Sequence, residues 1–246
     1  MLAYHNDPQL KQQILQQLQR HYDADEIVKG QYWQDGKGCA VGCTLHTDQH
    51  KEYETRFGIP VRLAHLEDII FERLPNNLAK NWPIRFMSAI QVGADLSTIW
   101  RDFVIWLLID PVDGVIQYTT PGTEVYHAIM QVAQLYQDGH TQQQMRDAGF
   151  AAASAASESY IAGANAAGYI AANIAHVAGA GAEYVYAAAH ATRNAVRNYS
   201  AYAGAHATRY NENDDIYKHA RNVAYIKISN KLIELLQKQE VTHDHK

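Results

Sequence analysis

Two cysteines and two histidines, Cys39, Cys43, His46 and His50, form a C-x3-C-x2-H-x3-H run inside the segment YWQDGKGCAVGCTLHTDQH. Two thiolates and two imidazoles are the donor types of a tetrahedral zinc ion, and iron accepts the same set. Zinc fingers place a long arm between the Cys pair and the His pair, whereas two residues intervene here. On one continuous helix Cys39 and His50 would stand about 16 Å apart, too far for a common ion. The spacing therefore predicts a loop through Gly38 to Gly42 and a helix from about Thr44. That arrangement brings Cys39 or Cys43 to His46 or His50 and takes a further ligand from elsewhere in the chain. The run falls one ligand short of the three-cysteine pattern of radical iron–sulfur enzymes, which excludes that chemistry.

The same residues admit two other readings. A cysteine near a helix start has its thiolate favoured by backbone N–H groups, and a histidine can act as its base. Cys39, Cys43 and His46 are the catalytic candidates in that case, with His5, His21 or His65 able to approach in space. The third reading is structural: Gly36, Gly38 and Gly42 permit a tight turn and close helix packing, with both cysteines serving as small buried apolar residues. No phosphate-binding loop, dinucleotide fingerprint, serine nucleophile elbow or H-E-x-x-H motif is present.

Polar residues elsewhere could complete a pocket. His5, Asp7, His21, Asp23 and Asp25 lie at the two ends of a first helix, where Asp7 reads as its cap and Asp23 with Asp25 as the start of a short second helix. His65, Asp68 and Glu72, at i, i+3 and i+7, share one helix face, which reads as solvated. His176, His190 and His206 with nearby tyrosines could line a polar groove, or be hydrogen-bonded within a bundle.

The elements that position these residues follow from periodicity. Asp7-Pro8 opens a helix to about His21, and Pro60 opens VRLAHLEDIIFERL, which stops at Pro75. In the latter, Leu63, Leu66, Ile70 and Leu74 make the apolar stripe, with Arg62, Glu67 and Arg73 away from it. Further helices are expected over 77–90, after Asp95 (burying Trp100, Phe103, Trp106 and Leu107), from Thr120-Pro121 to about Gln137, and from a Thr141/Gln144 capping box. A strand or hairpin is expected over Asp110–Thr120. From Ala151 to Tyr210 alanine fills 24 of 60 positions, so this stretch reads as helical, with a break at Gly179–Gly181 and another near 211–214 that lets Asp215 cap a final helix. AHATRN at 189–194 recurs as AHATRY at 205–210, a spacing of no known solenoid.

The chain of 246 residues carries a net charge of −5, with no run of Lys or Arg longer than two. That excludes the clustered cations of nucleic-acid binding and of anionic membrane surfaces. The longest apolar run, Val104 to Ile109, is too short to span a bilayer, and the start lacks a signal-peptide pattern. A cytoplasmic location is the expectation.

YHNDP at 4–8, GKGCAVGC at 36–43 and LAHLED at 63–68 resemble segments of a group of uncharacterised bacterial proteins, over about the first 110 residues. The resemblance implies no activity, only that these segments act together. The Ala-rich half resembles Ala- and His-rich helical segments of bacterial immunity proteins.

The combined expectation is an all-α protein. A helical domain with the Gly/Cys loop, residues 1–139, joins an Ala-rich antiparallel helical bundle, residues 140–246. The expected function is a small-ligand or metal site at the Cys39–His50 loop, joined by His5, His21 and His46, with zinc or iron as the metal. The alternative is a non-catalytic, immunity-like interaction module whose protein partner, or second copy, docks on the Tyr-rich helices.

Overall fold

The structure is a computed structural model that describes residues 1–180 and 215–239. The fold is all-α, apart from one two-stranded hairpin. Contacts group Met1–Trp100 with the chain from Ile228 onward as one unit, and Arg101–Lys227 as a second. The expected boundary at 139/140 coincides with the turn between two helices of the second unit.

In the first unit a 3-10 turn at Ala3–Asn6 leads into α1 (Pro8–Asp23). The Gln9 N–H donates to Asp7 Oδ1 at 2.8 Å, and Pro8 occupies the first turn, where its missing N–H costs nothing. No helix begins at Asp23. Asp25 instead takes up a left-handed backbone (φ 56°) and its carboxylate pairs with Lys80. The chain then forms the hairpin β1 (Trp33–Gln34) and β2 (Lys37–Gly38). Its two-residue turn, Asp35 (φ 52°) and Gly36 (φ 79°), has both φ positive, the geometry for which Asp-Gly is suited.

Five helices follow: α2 (Ala40–Leu45), α3 (Glu52–Phe57), α4 (Val61–Arg73), α5 (Asn76–Ala79) and α6 (Trp82–Ala89). The single helix expected over 77–90 is thus two. Pro83 sits in the first turn of α6, and a proline ring excludes the carbonyl four residues earlier, here that of Ala79, so α5 cannot run through it. The core of this unit gathers Leu18, Ile27, Leu63, Leu66, Phe71, Trp82 and Phe86, all at most 2% exposed.

The second unit draws on α7 (Ile99–Ile109), α8 (Glu124–Asp138), α9 (Gln142–Glu158), α10 (Ala162–Ala180) and α11 (Asp215–Gln237), of which α7 and α11 also contribute residues to the first. Phe103 and Leu107 of α7 are buried, as are Trp100 and Trp106. Asp95 makes a turn ahead of α7, accepting from the Ser97 N–H at 3.0 Å. The hairpin expected at Asp110–Thr120 is absent. Asp110 Oδ1 accepts from the Val112 and Asp113 N–H groups (3.0 and 2.8 Å), and Val115–Tyr118 coils into a 3-10 turn. Thr123 rather than Thr120 caps α8, and the Thr141/Gln144 capping box opens α9 as expected.

Small side chains bring α9 and α10 together: a Cβ on Gly168 would fall 2.7 Å from that of Ala156. Gly179 continues α10, whereas Gly181, residues 211–214, His190, His206, the 189–210 repeat and the terminal histidines lie outside the described residues. Among the described residues no helix is long and apolar enough to cross a membrane.

Candidate metal centre

Helix α4 is the frame. Leu63, Ala64, Leu66, Ile69, Ile70 and Phe71 are all buried, so the apolar surface wraps most of the helix and carries Glu67 (0% exposed) and Asp68 (2%) inside with it. The face bearing His65, Asp68 and Glu72, expected to be solvated, is therefore turned into the protein at Asp68, with His65 and Glu72 half-buried at its margin. A helix that is apolar nearly all round must bury whatever polar residues share those turns.

The second wall is α2. It begins at Ala40, not near Thr44, with Cys39 as its N-cap residue in extended backbone. Gly38 and Gly42 make this placement possible. The Tyr32 carbonyl lies against both, and an added Cβ would sit 2.0 Å from its oxygen at Gly38 and 1.4 Å at Gly42. That carbonyl, with the carbonyl of Gln31, accepts from the Cys39 N–H. Gly38 and Gly42 are thus required because the backbone at Tyr32, just ahead of β1, passes them at contact distance.

Together α2 and α4 bring the ligand atoms of Cys39, Asp68 and Glu72 within 4.8 Å of one another. Glu72 is held from its outer side, where both carboxylate oxygens accept from the Gly30 N–H (3.0 and 3.1 Å). His50 stands beside Asp68, outside this set of three. Its Nδ1 lies 3.0 Å from the Asp48 carbonyl, which can only accept, so Nδ1 carries a proton and Nε2 is turned toward Asp68. That Nε2 is buried, has no hydrogen-bond partner, and lies 3.5 Å from Asp68 Oδ2. The ring is fixed between His65, stacked at 4.1 Å and 13°, and Tyr32, edge-on at 5.6 Å.

Electrostatics single out the same cluster. Burial above all, and then the Asp68 carboxylate, hold the Cys39 thiol well above its ordinary value, against the pull of the Gly42 and Val41 N–H groups. Burial likewise raises Glu72, with the Gly30 N–H opposing and Asp68 adding to the rise. Behind them Glu67 is pushed up to about 8 by burial, although Tyr53 donates to its Oε2 at 2.5 Å. An unassisted thiolate at Cys39 is disfavoured, whereas Lys29 and Arg73 lend the Glu72 carboxylate some positive charge.

Comparison of the chain with protein-family models, curated proteins and solved structures gave no match. The geometry alone therefore carries the functional reading.

The remaining sequence candidates lie elsewhere. Cys43 is buried and directs its Sγ at the carbonyls of Gly38 (3.3 Å) and Glu26 (3.7 Å), and burial pushes its thiol up to about 12. The chain reverses at His46, the left-handed C-cap of α2 (φ 58°), whose Nε2 meets His21 Nε2 at 2.9 Å. Among the described residues, then, Cys39, Cys43, His46 and His50 do not gather as one ligand set. His5 contacts the Thr55 carbonyl at 3.1 Å, and Asp7 caps α1. Glu72 shares with Asp68 the helix face already marked in the sequence, whereas Glu67 enters the site unannounced by motif. The signal available for Glu67 was the apolar residues flanking LED on every side of the helix.

Proposed function

We propose that the chain is a metal-binding protein of the zinc class, with Cys39, Asp68 and Glu72 as ligands and His50 as the fourth. The observation that carries this reading is the convergence of Cys39, Asp68 and Glu72, with ligand atoms within 4.8 Å of one another, beside the His50–Asp68 pair. His50 Nε2 and Asp68 Oδ2 stand 3.5 Å apart, a distance long for a hydrogen bond. It is close to the spacing of about 3.4 Å between two ligands of a tetrahedral ion bound at 2.0–2.2 Å. A divalent ion also offsets the cost of burying two carboxylates beside a thiol, and it deprotonates that thiol on binding. Thiolate, imidazole and carboxylate together suit zinc, with ferrous iron next. The reading places the protein in the reducing cytoplasm, where Cys39 stays available as a ligand.

Calorimetric titration of zinc into chelator-treated full-length protein tests it. Saturable binding to wild type is expected, weakened at least tenfold in Asp68→Asn and in Cys39→Ser. Wild-type protein that takes up no zinc, or variants that bind it equally well, would overturn the reading.

A second reading rests on the other unit, where Phe150 (64% exposed), Tyr160 (104%) and Ile161 (59%) present apolar surface on α9 and at the α9–α10 turn. Such surface suits a protein partner or a second copy of the chain. Sedimentation of wild type against Phe150→Glu measures self-association, and a monomer in both leaves only a foreign partner.

A further inference from the structure

A second cluster stands at the opposite end of α2 from Cys39. His21 Nδ1 is 2.6 Å from Glu26 Oε2, so this nitrogen carries the proton and directs the His21 Nε2 lone pair outward. That lone pair meets His46 Nε2 at 2.9 Å. The Trp33 ring stacks on His46 at 4.2 Å and 21° and receives His21 edge-on at 5.3 Å, which fixes both imidazoles. His21 is largely buried, whereas His46 reaches the surface. His46 holds this position in a left-handed backbone (φ 58°, ψ 32°), a conformation that costs a non-glycine residue about 1 kcal/mol or more and that concentrates at functional sites.

We propose that His21 and His46 form a second, independent metal site, selective for a divalent ion of tetragonal preference such as Cu(II) or Ni(II), with Glu26 as the residue that positions His21. Two nitrogens bound at 2.0–2.1 Å in adjacent positions of a square plane are about 2.9 Å apart, whereas tetrahedral ligands stand wider. A shift of the His46 proton from Nε2 to Nδ1, with a rotation of the rings off the line that joins the two nitrogens, presents both lone pairs to the ion. Glu26, accepting from the far nitrogen of His21, has the role that carboxylates take behind metal-bound histidines. The two imidazoles leave the remaining equatorial positions to water or a small ligand, because His46 borders solvent.

The test is titration of Cu(II) into full-length protein, followed by electron paramagnetic resonance and tryptophan fluorescence. Wild type is expected to give a tetragonal signal with nitrogen coupling and to lose the Trp33 emission, which Trp33→Phe identifies. His46→Asn, whose new side chain tolerates the left-handed backbone, and His21→Gln should both lose the signal. Glu26→Gln should retain it with affinity about 10–100-fold weaker. Cys39→Ser should leave it unchanged, which separates this site from the first. Identical Cu(II) binding in wild type, His46→Asn and His21→Gln would show that histidines elsewhere take up the ion and that the pair is only a hydrogen bond. Unchanged affinity in Glu26→Gln would also overturn the proposal.

Discussion

The two units solve the same packing problem with different residues. Among the described residues the buried polar or charged ones are Thr44, His50, Glu67, Asp68 and Ser229, and all five belong to the first unit. The second buries alanines along α9 and α10 with isoleucines such as Ile129, Ile170 and Ile174. Burying a charge costs several kcal/mol unless a partner offsets it, and the described part of the second unit packs without a fully buried carboxylate. The place of the α4 acids beside Cys39 and His50 is what sets the first unit apart.

The largest expected effect breaks the contrast at its backbone. Gly42→Ala drives a Cβ to 1.4 Å from the Tyr32 oxygen, a backbone atom that cannot step aside. Chemical denaturation should show a loss of about 3 kcal/mol or more. Gly149→Ala in α9 meets nothing nearer than the His176 ring at 3.1 Å and gains helix propensity, so its stability should stay within about 1 kcal/mol of wild type. A Gly42→Ala protein as stable as Gly149→Ala would show that α2 is not clamped as described.

A smaller contrast sets two tyrosine hydroxyls against each other. Tyr53→Phe leaves the buried Glu67 Oε2 without its donor and should cost about 1–3 kcal/mol. Tyr136→Phe in the second unit gives up a 3.5 Å contact with the Ile174 carbonyl and should cost less than about 1 kcal/mol. Equal losses in urea denaturation would remove the distinction between a charged and an apolar interior.

The smallest effect belongs to exposed charge. Hydrogen bonding and charge from Lys80 hold the Asp25 carboxyl below its ordinary value. The unfolded chain therefore takes up this proton first as pH falls, so the pair's contribution is present above pH 3.8 and fades below it. Solvent screening keeps it slight. Asp25→Asn should lower the melting temperature marginally at neutral pH in low salt and not at all in high salt. A large, salt-independent loss would mean that the pair is buried.

The all-α class and the starts of α1 and α9 were legible because they depend on local rules: a cap, a proline in the first turn, a repeat of apolar residues. Asp35-Gly36 and Asp113-Gly114 show the limit of such rules. Both are turn signals, yet only the first has a strand to return to, and Asp110 draws the second into a 3-10 turn. The site was half legible. Cys39 and His50 stood out by type, and Asp68 by its place on a helix face, but spacing alone grouped Cys39 with Cys43 and His46. Which neighbours Cys39 meets is decided by the packing of α2 on α4, a contact between distant segments. Glu67 looked like a surface residue because a single stripe was assumed for a helix that is buried on several sides.

The central claim is tested most directly by elemental analysis of untagged wild type, Cys39→Ala and Cys43→Ser, each purified without chelator. The structure separates the two cysteines, one facing Asp68 and Glu72 and the other facing backbone carbonyls. The account predicts near-stoichiometric zinc in wild type and in Cys43→Ser, and its loss in Cys39→Ala. Metal-free wild type, or metal retained by Cys39→Ala and lost from Cys43→Ser, would contradict it.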